Sequence, residues 1–418
     1  MGFAQGLSGL SASATNLDII GNNIANAGTM GFKSGSVQFA DVYAGSQAGL
    51  GTHATVSQNF TAGAVQTSTR ALDVAIVEGN GFFRMASTGG DIAYSRNGQF
   101  DLDKNGYIVN AAGMQLTGYP MGVTGSIGGG AVPLQVPNAA MVPKATAAVT
   151  AQFNLDSRST APSAAFDAND SSTYNYSSSL TVYDSLGTSH EVTSFFVKND
   201  TSAWDVYATA DGYPLDVNGA MIAAPTAGGP PAIANSAKLA TGTLTFDPNG
   251  ALPAAPTVSL AGLNFNNGSA PVNISMDLAG TTQFGIESDS KKVDQDGYAS
   301  GTLVSFAIGP DGTITGKYSN EQSKALGQVV LSSFANVSGL QSRGENLWTE
   351  TAASGQPLTG TPGPGMRMGS LSSGALEASN VDLTSELVNL IIAQRTYQAN
   401  AQTVKTQDQV VQTLMNMR

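Results

Sequence analysis

The 418-residue chain has no cysteine. A disulfide framework, thiolate chemistry and cysteine-built zinc sites are therefore excluded. Histidine is almost absent: His53 and His190 are the only two, far apart in sequence. A His-rich metal site or a Ser-His-Asp triad has no support in such a chain. Charge is scarce as well, at 11% of residues against roughly 25% in an average soluble protein. With 49 glycines in addition, the surface has to be covered by Ser, Thr, Asn, Gln and Ala. Such a surface suits extended protein–protein contact with little charge to desolvate. The net charge of −12 argues against nucleic acid and against insertion at an anionic membrane. There is no run of about 18 apolar residues, the length a spanning helix needs. No Lys or Arg precedes Lys33, so the basic start of a cleavable secretory signal is missing. If exported, the chain is expected to leave by a route that uses no cleaved signal.

What the chain does carry is concentrated at its ends. Phe3, Leu7, Leu10, Ala14, Leu17 and Ile24 recur at alternating steps of four and three, broken at Gly21. Leu383, Leu387, Leu390, Tyr397, Ala401, Val404, Val411 and Met415 do the same, with Leu414 beside the last and with Gln394 and Asp408 as polar interruptions. This is a 3.5-residue repeat, the pattern of helices that wind round one another in a left-handed sense. Asn380 or Asp382 is placed to cap the second helix, with Glu386 in its first turn. Gly28 and Gly31 follow the first helix where a left-handed stop is needed. A helix over 382–418 would be roughly 55 Å long. Two lone helices bury too little apolar surface to offset the backbone entropy of ordering them. The expectation is that these ends are loose in an isolated chain and fold when neighbouring copies supply more surface. The alternative is a helical hairpin packed on its own globular body. The self-assembly set read from the pattern is Phe3, Leu7, Leu10, Leu17, Ile24, Leu383, Leu387, Leu390, Tyr397, Val404, Val411 and Leu414.

Between the ends the period changes to two. The stretch 28–45 is too rich in glycine for a continuing helix and reads as an irregular linker. From Leu72 strands begin, and YSRNGQFDLDKNGYIVNAAGMQLTGYP (94–120) reads as strands with turns at Asn97-Gly98, Asn105-Gly106 and Ala112-Gly113. Residues 121 to about 285 are dense in Pro, Ala, Gly and Ser. Turns are expected there at Asp184–Gly187 and Asp247–Gly250, and Val272, Ile274, Met276 and Leu278 alternate cleanly, so this part reads as a β-rich insertion. From 286 to 350 strands return, broken by Asp296-Gly297 and Asp311-Gly312, and a Gly/Pro linker (359–370) leads to the last helix. The fold class is multidomain α+β: long N- and C-terminal helices form a coiled-coil-like core domain, and the central chain forms nested β-rich domains. The parts are 1–28 with 380–418 (helical core), 29–71 with 351–379 (connecting), 72–145 with 286–350 (β-rich middle) and 146–285 (inserted, outer).

No active site can be assembled from these residues. Asp101, Asp103, Asn105 and Gly106 match the opening of a calcium loop, but Ala112 stands where the bidentate Glu belongs, so a hairpin turn is the better reading. Gly125, Gly128, Gly129 and Gly130 are not followed by Lys-Ser/Thr, so a phosphate loop fails. Asp294 and Asp296 read as turn residues beside Gly297 rather than paired carboxylates. Trp204 and Trp348 read as core rather than as platforms for a sugar. The chain is expected to be no enzyme and to hold no cofactor or metal.

Several long stretches in the same order resemble the bacterial flagellar hook proteins, within the flagellar rod/hook axial family. NNIANAGTMGFK (22–33) looks like the N-terminal signature of rod and hook subunits, and LDVAIVEGNGFFR (72–84) and the 94–120 stretch look like hook-family segments. So do YSNEQSKALGQVVLSSFAN (318–336) and SGALEASNVDLTSELVNLIIAQRTYQANAQTVKTQDQVVQTLMNMR (373–418). The insertion matches least. The resemblance implies a tubular homopolymer outside the cell that bends while passing torque from motor to filament. Terminal helices would lie in its core and β domains outside. As partners it implies further copies of the chain, the distal rod protein, the hook cap protein, the hook–filament junction protein and the flagellar type III export apparatus. A distal rod subunit of the same family is the near alternative. From other classes, an extracellular carbohydrate-binding or adhesive β protein and a β-rich hydrolase are the rival readings.

Overall fold

The computed structural model describes residues 2–41, 52–121, 128–222, 237–239, 242–253 and 257–416. It is mostly β-structure with one long helix at each end, α1 (Gly2–Ala25) and α2 (Leu383–Asn416). Asp382 begins α2: its Oδ1 accepts the backbone N–H groups of Thr384 at 2.9 Å and Ser385 at 3.2 Å, satisfying donors that a helix start leaves open. Between the helices and the β body lie four short strands, β1 (Gly35–Asp41), β2 (Thr52–Gln58), β3 (Val65–Thr67) and β4 (Val74–Val77). β1 pairs with β2 as an antiparallel hairpin, so the described part of the stretch 28–45 is not irregular throughout. Val37 lies opposite Val56 and Phe39 opposite Ala54, an alternation that the flanking glycines conceal. β3 pairs with Ala375–Glu377 and β4 with Ser370–Ser373. The outgoing and returning chain therefore run side by side.

The residues fall into two compact units. The first comprises 1–138, 304–317 and 323–418. At its centre β5 (Phe82–Ala86) pairs with β6 (Ile92–Ser95). Beyond the small hairpin of β7 (Asp101–Leu102) and β8 (Ile108–Val109), β9 (Gln115–Pro120) lies on β5. The chain that returns later supplies the remaining neighbours: 323–329 on β9, 331–333 on β5 and 347–349 on β6. Interleaving of this kind is what a nested chain order requires. Phe82, Tyr94, Phe334, Leu340 and Trp348 pack into one buried cluster, with edge-to-face rings such as Tyr94 on Phe334 at 4.8 Å, a preferred aromatic geometry.

Asn97-Gly98 is not a hairpin turn, because β6 and β7 do not pair with each other. The glycine serves a close approach instead: a Cβ on Gly98 would lie on the Val74 carbonyl oxygen, and the Val74 N–H donates to Gly98 O at 2.9 Å. Asn105-Gly106 does close a hairpin, with Asp103 Oδ1 accepting the N–H groups of Asn105 and Tyr107. Asp103 thus caps its own turn, and Asp101 pairs outward with Arg70. Asp296-Gly297 bends the chain without reversing it, since 289–295 continues into the bridge between Tyr298 and Lys144. Gly125 lies outside the described residues.

The second unit comprises 139–303 and 318–322. One five-stranded sheet contains 148–156, 257–263, 272–277, 282–284 and 289–295. The other contains 176–183, 189–198, 203–210, 213–214 and 243–245. The two share a single apolar core that includes Phe153, Phe196 and Trp204. Val272, Ile274 and Met276 face inward while Asn273, Ser275 and Asp277 face out, the period-two alternation of a sheet covered on one side. Trp204 is fully buried and its indole N–H donates to Gln283 Oε1 at 3.1 Å. The chain enters and leaves this unit side by side, bridged at Met141–Gly301 and Lys144–Tyr298.

Asp184 closes the turn between the strands 176–183 and 189–198. Its Oδ1 accepts the N–H groups of Leu186 and Thr188, and its Oδ2 accepts from Asn267 at 2.6 Å and lies 3.3 Å from His190 Nε2. Burial pushes this carboxyl up, but the hydrogen bonds from Asn267, Thr188, His190 and Leu186 together outweigh it and bring the pKa to about 2. Ionised Asp184 therefore stabilises the folded state fully above about pH 4, where an unfolded Asp is already charged, and that stability is lost as the pH falls through 2. The shift corresponds to about 2 kcal/mol. Asp184→Asn is expected to flatten this part of the acid limb, so that its urea midpoint falls less than the wild type's between pH 5 and pH 2; equal falls would show that Asp184 contributes nothing.

Candidate self-assembly surface

The two helices pack on each other through a row of small and polar residues rather than through the apolar row of α1. A Cβ built on Gly6 would sit 2.9 Å from Val404 Cγ2, and one on Gly9 would meet the Asn400 amide at 3.1 Å. Asn400 Nδ2 donates to Ser13 Oγ at 3.1 Å, and Asn23 Nδ2 to Glu386 Oε1 at 3.2 Å. Gly6, Gly9, Ser13 and Asn23 keep the 3.5-residue spacing, displaced by one position from Leu7, Leu10, Ala14 and Ile24. Small residues let the backbones approach closely. The consequence is that Leu7, Leu10, Ala14 and Ile24 are left beside the seam, while Val404 lies in it against Gly6 and Ile20 of the same row is buried.

Leu10, Leu17 and Ile24 are half-buried, and Leu7 is 55% exposed. On α2, Leu390, Tyr397 and Val404 are half-buried, on the same side as buried Ala393. Leu383, Leu387 and Val411 are exposed. Phe3 and Leu414 lie within the helices, but their side chains are outside the described residues. The predicted residues are thus distributed along two helices without being gathered into one covered seam. The sequence pattern also passed over Val388, Ile391 and Ile392, which are 53%, 52% and 57% exposed. With Leu387 they make two adjacent apolar pairs one turn apart, a patch of the kind that marks a protein contact. The run LVNLII was legible, but a strict seven-residue repeat assigned only Leu387 and Leu390 from it.

A second feature fixes the base of the helices. The carboxylate of Glu377, in the strand 375–377, is buried between two cations. Lys33 Nζ donates to Glu377 Oε1 at 2.6 Å and to Thr61 O at 2.7 Å, and Arg96 Nη1 lies 3.4 Å from Glu377 Oε2. Arg96 Nη2 also donates to Gly79 O at 2.8 Å, and the Gly63 N–H to Glu377 Oε1 at 2.9 Å. All three charged side chains are at most 2% exposed. Burial holds the Lys33 ammonium below its ordinary range in spite of the bond and charge that Glu377 supplies. The Arg96 guanidinium is lowered for the same reason.

Hydrogen bonds of the surrounding backbone complete this clamp. Gly31, whose φ of 70° is left-handed, donates its N–H to Glu377 O at 2.7 Å, and a Cβ there would meet the Asn97 backbone at 2.6 Å. Asn23 bonds both backbone groups of Gly35, and Asn380 receives the Ser34 N–H while donating to Asn59 O. Asn380 is therefore a clamp residue and not a helix cap. Sequence reasoning missed the triad. Its one signal was Glu377 itself, a lone charge among Ala375, Leu376 and Ala378.

Among the described residues, no group of three or more His, Asp or Glu is arranged to hold a metal ion. His53 is exposed in β2. His190 stacks on Phe265 with centroids 3.5 Å apart and reaches Asp211 Oδ2 at 2.7 Å. Asp296 accepts from Lys144 and from the Ala147 and Ala148 N–H groups, whereas the Asp294 side chain is exposed, so the two do not converge. Trp348, like Trp204, is core.

Four family models match the chain in order: Flagella basal body rod protein over 5–33, Flagellar hook protein FlgE/F/G D1 domain over 76–153, Flagellar basal body protein FlaE D2 domain over 154–298 and Flagellar basal body rod FlgEFG protein C-terminal over 372–417. The chain is 46% identical to the flagellar hook protein FlgE of Salmonella typhimurium and 45% identical to that of Escherichia coli, each alignment covering 100% of both chains. The crystal structure of the Helicobacter pylori flagellar hook protein FlgE2 is similar in fold, with a TM-score of 0.52 at 14% identity, covering 75% of this chain and 99% of that one.

Removing one partner from a buried ion pair costs roughly 3–5 kcal/mol. Glu377→Gln is expected to cost at least that much, because it leaves Lys33 and Arg96 buried around a neutral amide. Lys33→Met should cost less, since Arg96 still faces the carboxylate. Combined with Lys33→Met, Glu377→Gln should cost less than the two single losses added. Urea titrations of the four proteins give the coupling, and strict additivity would deny the triad its role.

Proposed function

The chain belongs to the flagellar hook protein family, and from that premise we propose how its parts divide the work of a hook subunit. It is a structural subunit of the bacterial flagellar hook, a component of the flagellum outside the cell. In this reading the chain polymerises into a flexible tube that acts as a universal joint, passing torque from rod and motor to filament. α1 and α2 pack in the core of the tube as a coiled-coil-like domain, 1–28 with 380–418. The segments 29–71 and 351–379 connect them to a β-rich middle domain, 72–145 with 286–350, and 146–285 forms an outer domain. Contacts between outer domains of neighbouring copies slide as the tube bends. The partners are further copies of the chain, the distal rod protein, the hook cap protein, the hook–filament junction protein and the type III export apparatus. Neither nucleic acid nor membrane insertion enters the reading.

One observation carries it: the apolar patch at Leu387, Val388, Ile391 and Ile392 stays uncovered in a single chain. Exposed apolar area of this kind is worth roughly 25 cal/mol per Å² when another molecule covers it. The low charge of the chain supports the sliding contacts, since few ions need desolvation when one surface moves over another.

Leu387→Asp is expected to block tube formation while leaving the β units folded, and Leu10→Asp to do the same; purified variants examined by electron microscopy and circular dichroism decide this, and normal tubes from both would reject the assignment. For the wild type, helix content should rise when monomers assemble. A chain in which 139–303 is replaced by a short linker should still polymerise but with altered curvature; loss of polymerisation altogether would overturn the division of labour.

A further inference from the structure

The ladder between β1 and β2 fixes which of their backbone groups face outward. One step beyond its first pair, the Asn59 N–H donates to Ser34 O at 2.8 Å. Opposed residues of an antiparallel ladder alternate between hydrogen-bonded and non-bonded pairs, so Ser36–Ser57, Gln38–Thr55 and Ala40–His53 are the bonded ones. The N–H and C=O groups of Gly35, Val37 and Phe39 on β1, and of Thr52, Ala54 and Val56 on β2, then point away from the hairpin. α1 satisfies those near the two ends. Asn23 bonds both groups of Gly35, and Ser8 Oγ receives the Thr52 N–H at 3.3 Å. Among the described residues, no protein group bonds the outward N–H and C=O groups of Val37, Phe39, Ala54 or Val56.

These two edges lack the usual protection. A long, flat edge strand is a template for another strand, and proteins blunt it with Lys, Pro, a bulge or a cover. Both strands have seven residues and neither contains Lys, Arg or Pro. Their register runs unbroken from Gly35–Gln58 to Asp41–Thr52. A two-stranded hairpin is marginally stable in water, and a third strand strengthens it. The open positions are also the apolar ones. Residues that share an outward backbone direction share a face of the strand, and here they are Val37, Phe39, Ala54 and Val56. Phe39 is 54% exposed and Val56 48%. A ladder joining one edge to the other continues this apolar face without a break.

We propose that the β2 edge of one copy pairs antiparallel with the β1 edge of the next, Ala54 and Val56 on one side meeting Val37 and Phe39 on the other. Strand direction alternates across such a sheet, so copies joined in this way all point in the same direction. β2 against β2 would reverse the partner and close as a two-fold dimer. β2 against β1 is head-to-tail: it leaves one open edge at each end and propagates. The proposal rests on the polymer reading above and adds to it a contact made by main-chain hydrogen bonds, the mode of strand addition.

The test uses the purified full-length chain. Proline is tolerated on an edge strand where the N–H that it removes points off the sheet. Ala54→Pro therefore deletes an outward donor and spares the hairpin's own bonds. It should raise the critical concentration for tubes, measured by sedimentation and electron microscopy, roughly tenfold or more. The chain has no cysteine, so Val37→Cys, Phe39→Cys, Ala54→Cys and Val56→Cys each place one thiol, and opposed positions of paired strands lie within disulfide reach. Oxidised tubes from a mixture of one β1 variant and one β2 variant should yield a disulfide-linked dimer in at least one of the four combinations. Tubes of any single variant should yield none. Dimers from a β2 variant alone would show two-fold pairing and overturn the proposal. Assembly of Ala54→Pro at the wild-type critical concentration, or no dimer in any mixture, would overturn the edge pairing while leaving the polymer intact. A wild-type chain that forms no tubes would overturn the polymer reading and this pairing together.

Discussion

The carboxylate of Glu377, held in a dry pocket between Lys33 and Arg96, is the constraint on which the first unit depends. Each partner comes from a different segment: Lys33 from the chain leaving α1, Arg96 from the end of β6, Glu377 from the strand that leads into α2. In water these charges would be nearly indifferent to one another. Inside, none can be left alone, because the desolvation already suffered by each is recovered only in the presence of the others. The three segments therefore arrive together or the pocket does not form. The backbone bonds around it, from Gly31 to Glu377 and between Ser34 and Asn380, convert that electrostatic requirement into a fixed geometry at the base of both helices.

Beyond the clamp the helices have much weaker reasons to stay in place. Their mutual seam of Gly6, Gly9, Ser13 and Asn400 brings backbones close, with Val404 against Gly6 and the buried Ile20 and Ala393 as its apolar part. Several larger residues of α2, Leu387, Val388 and Ile391, stay about half exposed. A protein that kept its helices for itself would place leucine and isoleucine in the seam and small polar residues outside. Here small and polar residues hold much of the seam, and Leu387, Val388 and Ile391 stay exposed. That arrangement suits helices that find further apolar partners on other molecules, with the internal seam serving to align the pair.

Much of this was legible in the sequence where a local rule decides the outcome. The inserted unit's strand at 272–277 alternates as its residues demand, and turns such as Asp184–Gly187 follow from an aspartate whose side chain accepts its own following N–H groups. The nested order could be read because helix and strand periods are local properties. What was not legible depends on distant pairings. Asn97-Gly98 carries the strongest short hairpin signal, yet Gly98 is there to let Val74 come close, and Val74 is more than twenty positions away. The hairpin of β1 and β2 was hidden by glycine density. The heptad pattern identified both helices and the α2 face with Leu390, Tyr397 and Val404, but it displaced the α1 face by one position, because small residues at 6, 9 and 13 carry no weight in a count of hydrophobic ones. The Lys33–Glu377 pair spans nearly the whole chain and leaves no periodic trace at all.

The clamp also determines where compliance can reside in an assembled joint. Gly31 and Ser34 on one side and Glu377 and Asn380 on the other are tied by two short bonds and by the buried Lys33–Glu377 ion pair between them. A segment so tied cannot act as the hinge between helix and β body, although its glycines invite that interpretation. Twisting force applied to the helices passes directly into the β3–β4 region, where outgoing and returning strands are paired. In the reading proposed above, bending is then taken up elsewhere than at this segment, as in the contacts between copies. Contacts between copies can do this when they are poor in charge and rich in Ser, Thr, Asn and Gln, because such groups exchange one hydrogen-bond partner for another, or for water, at small cost. A rigid connection within each subunit and indifferent contacts between them are complementary requirements. On the reading proposed above, stiffness at Lys33, Arg96 and Glu377 leaves the sparsely charged surface as the part that moves.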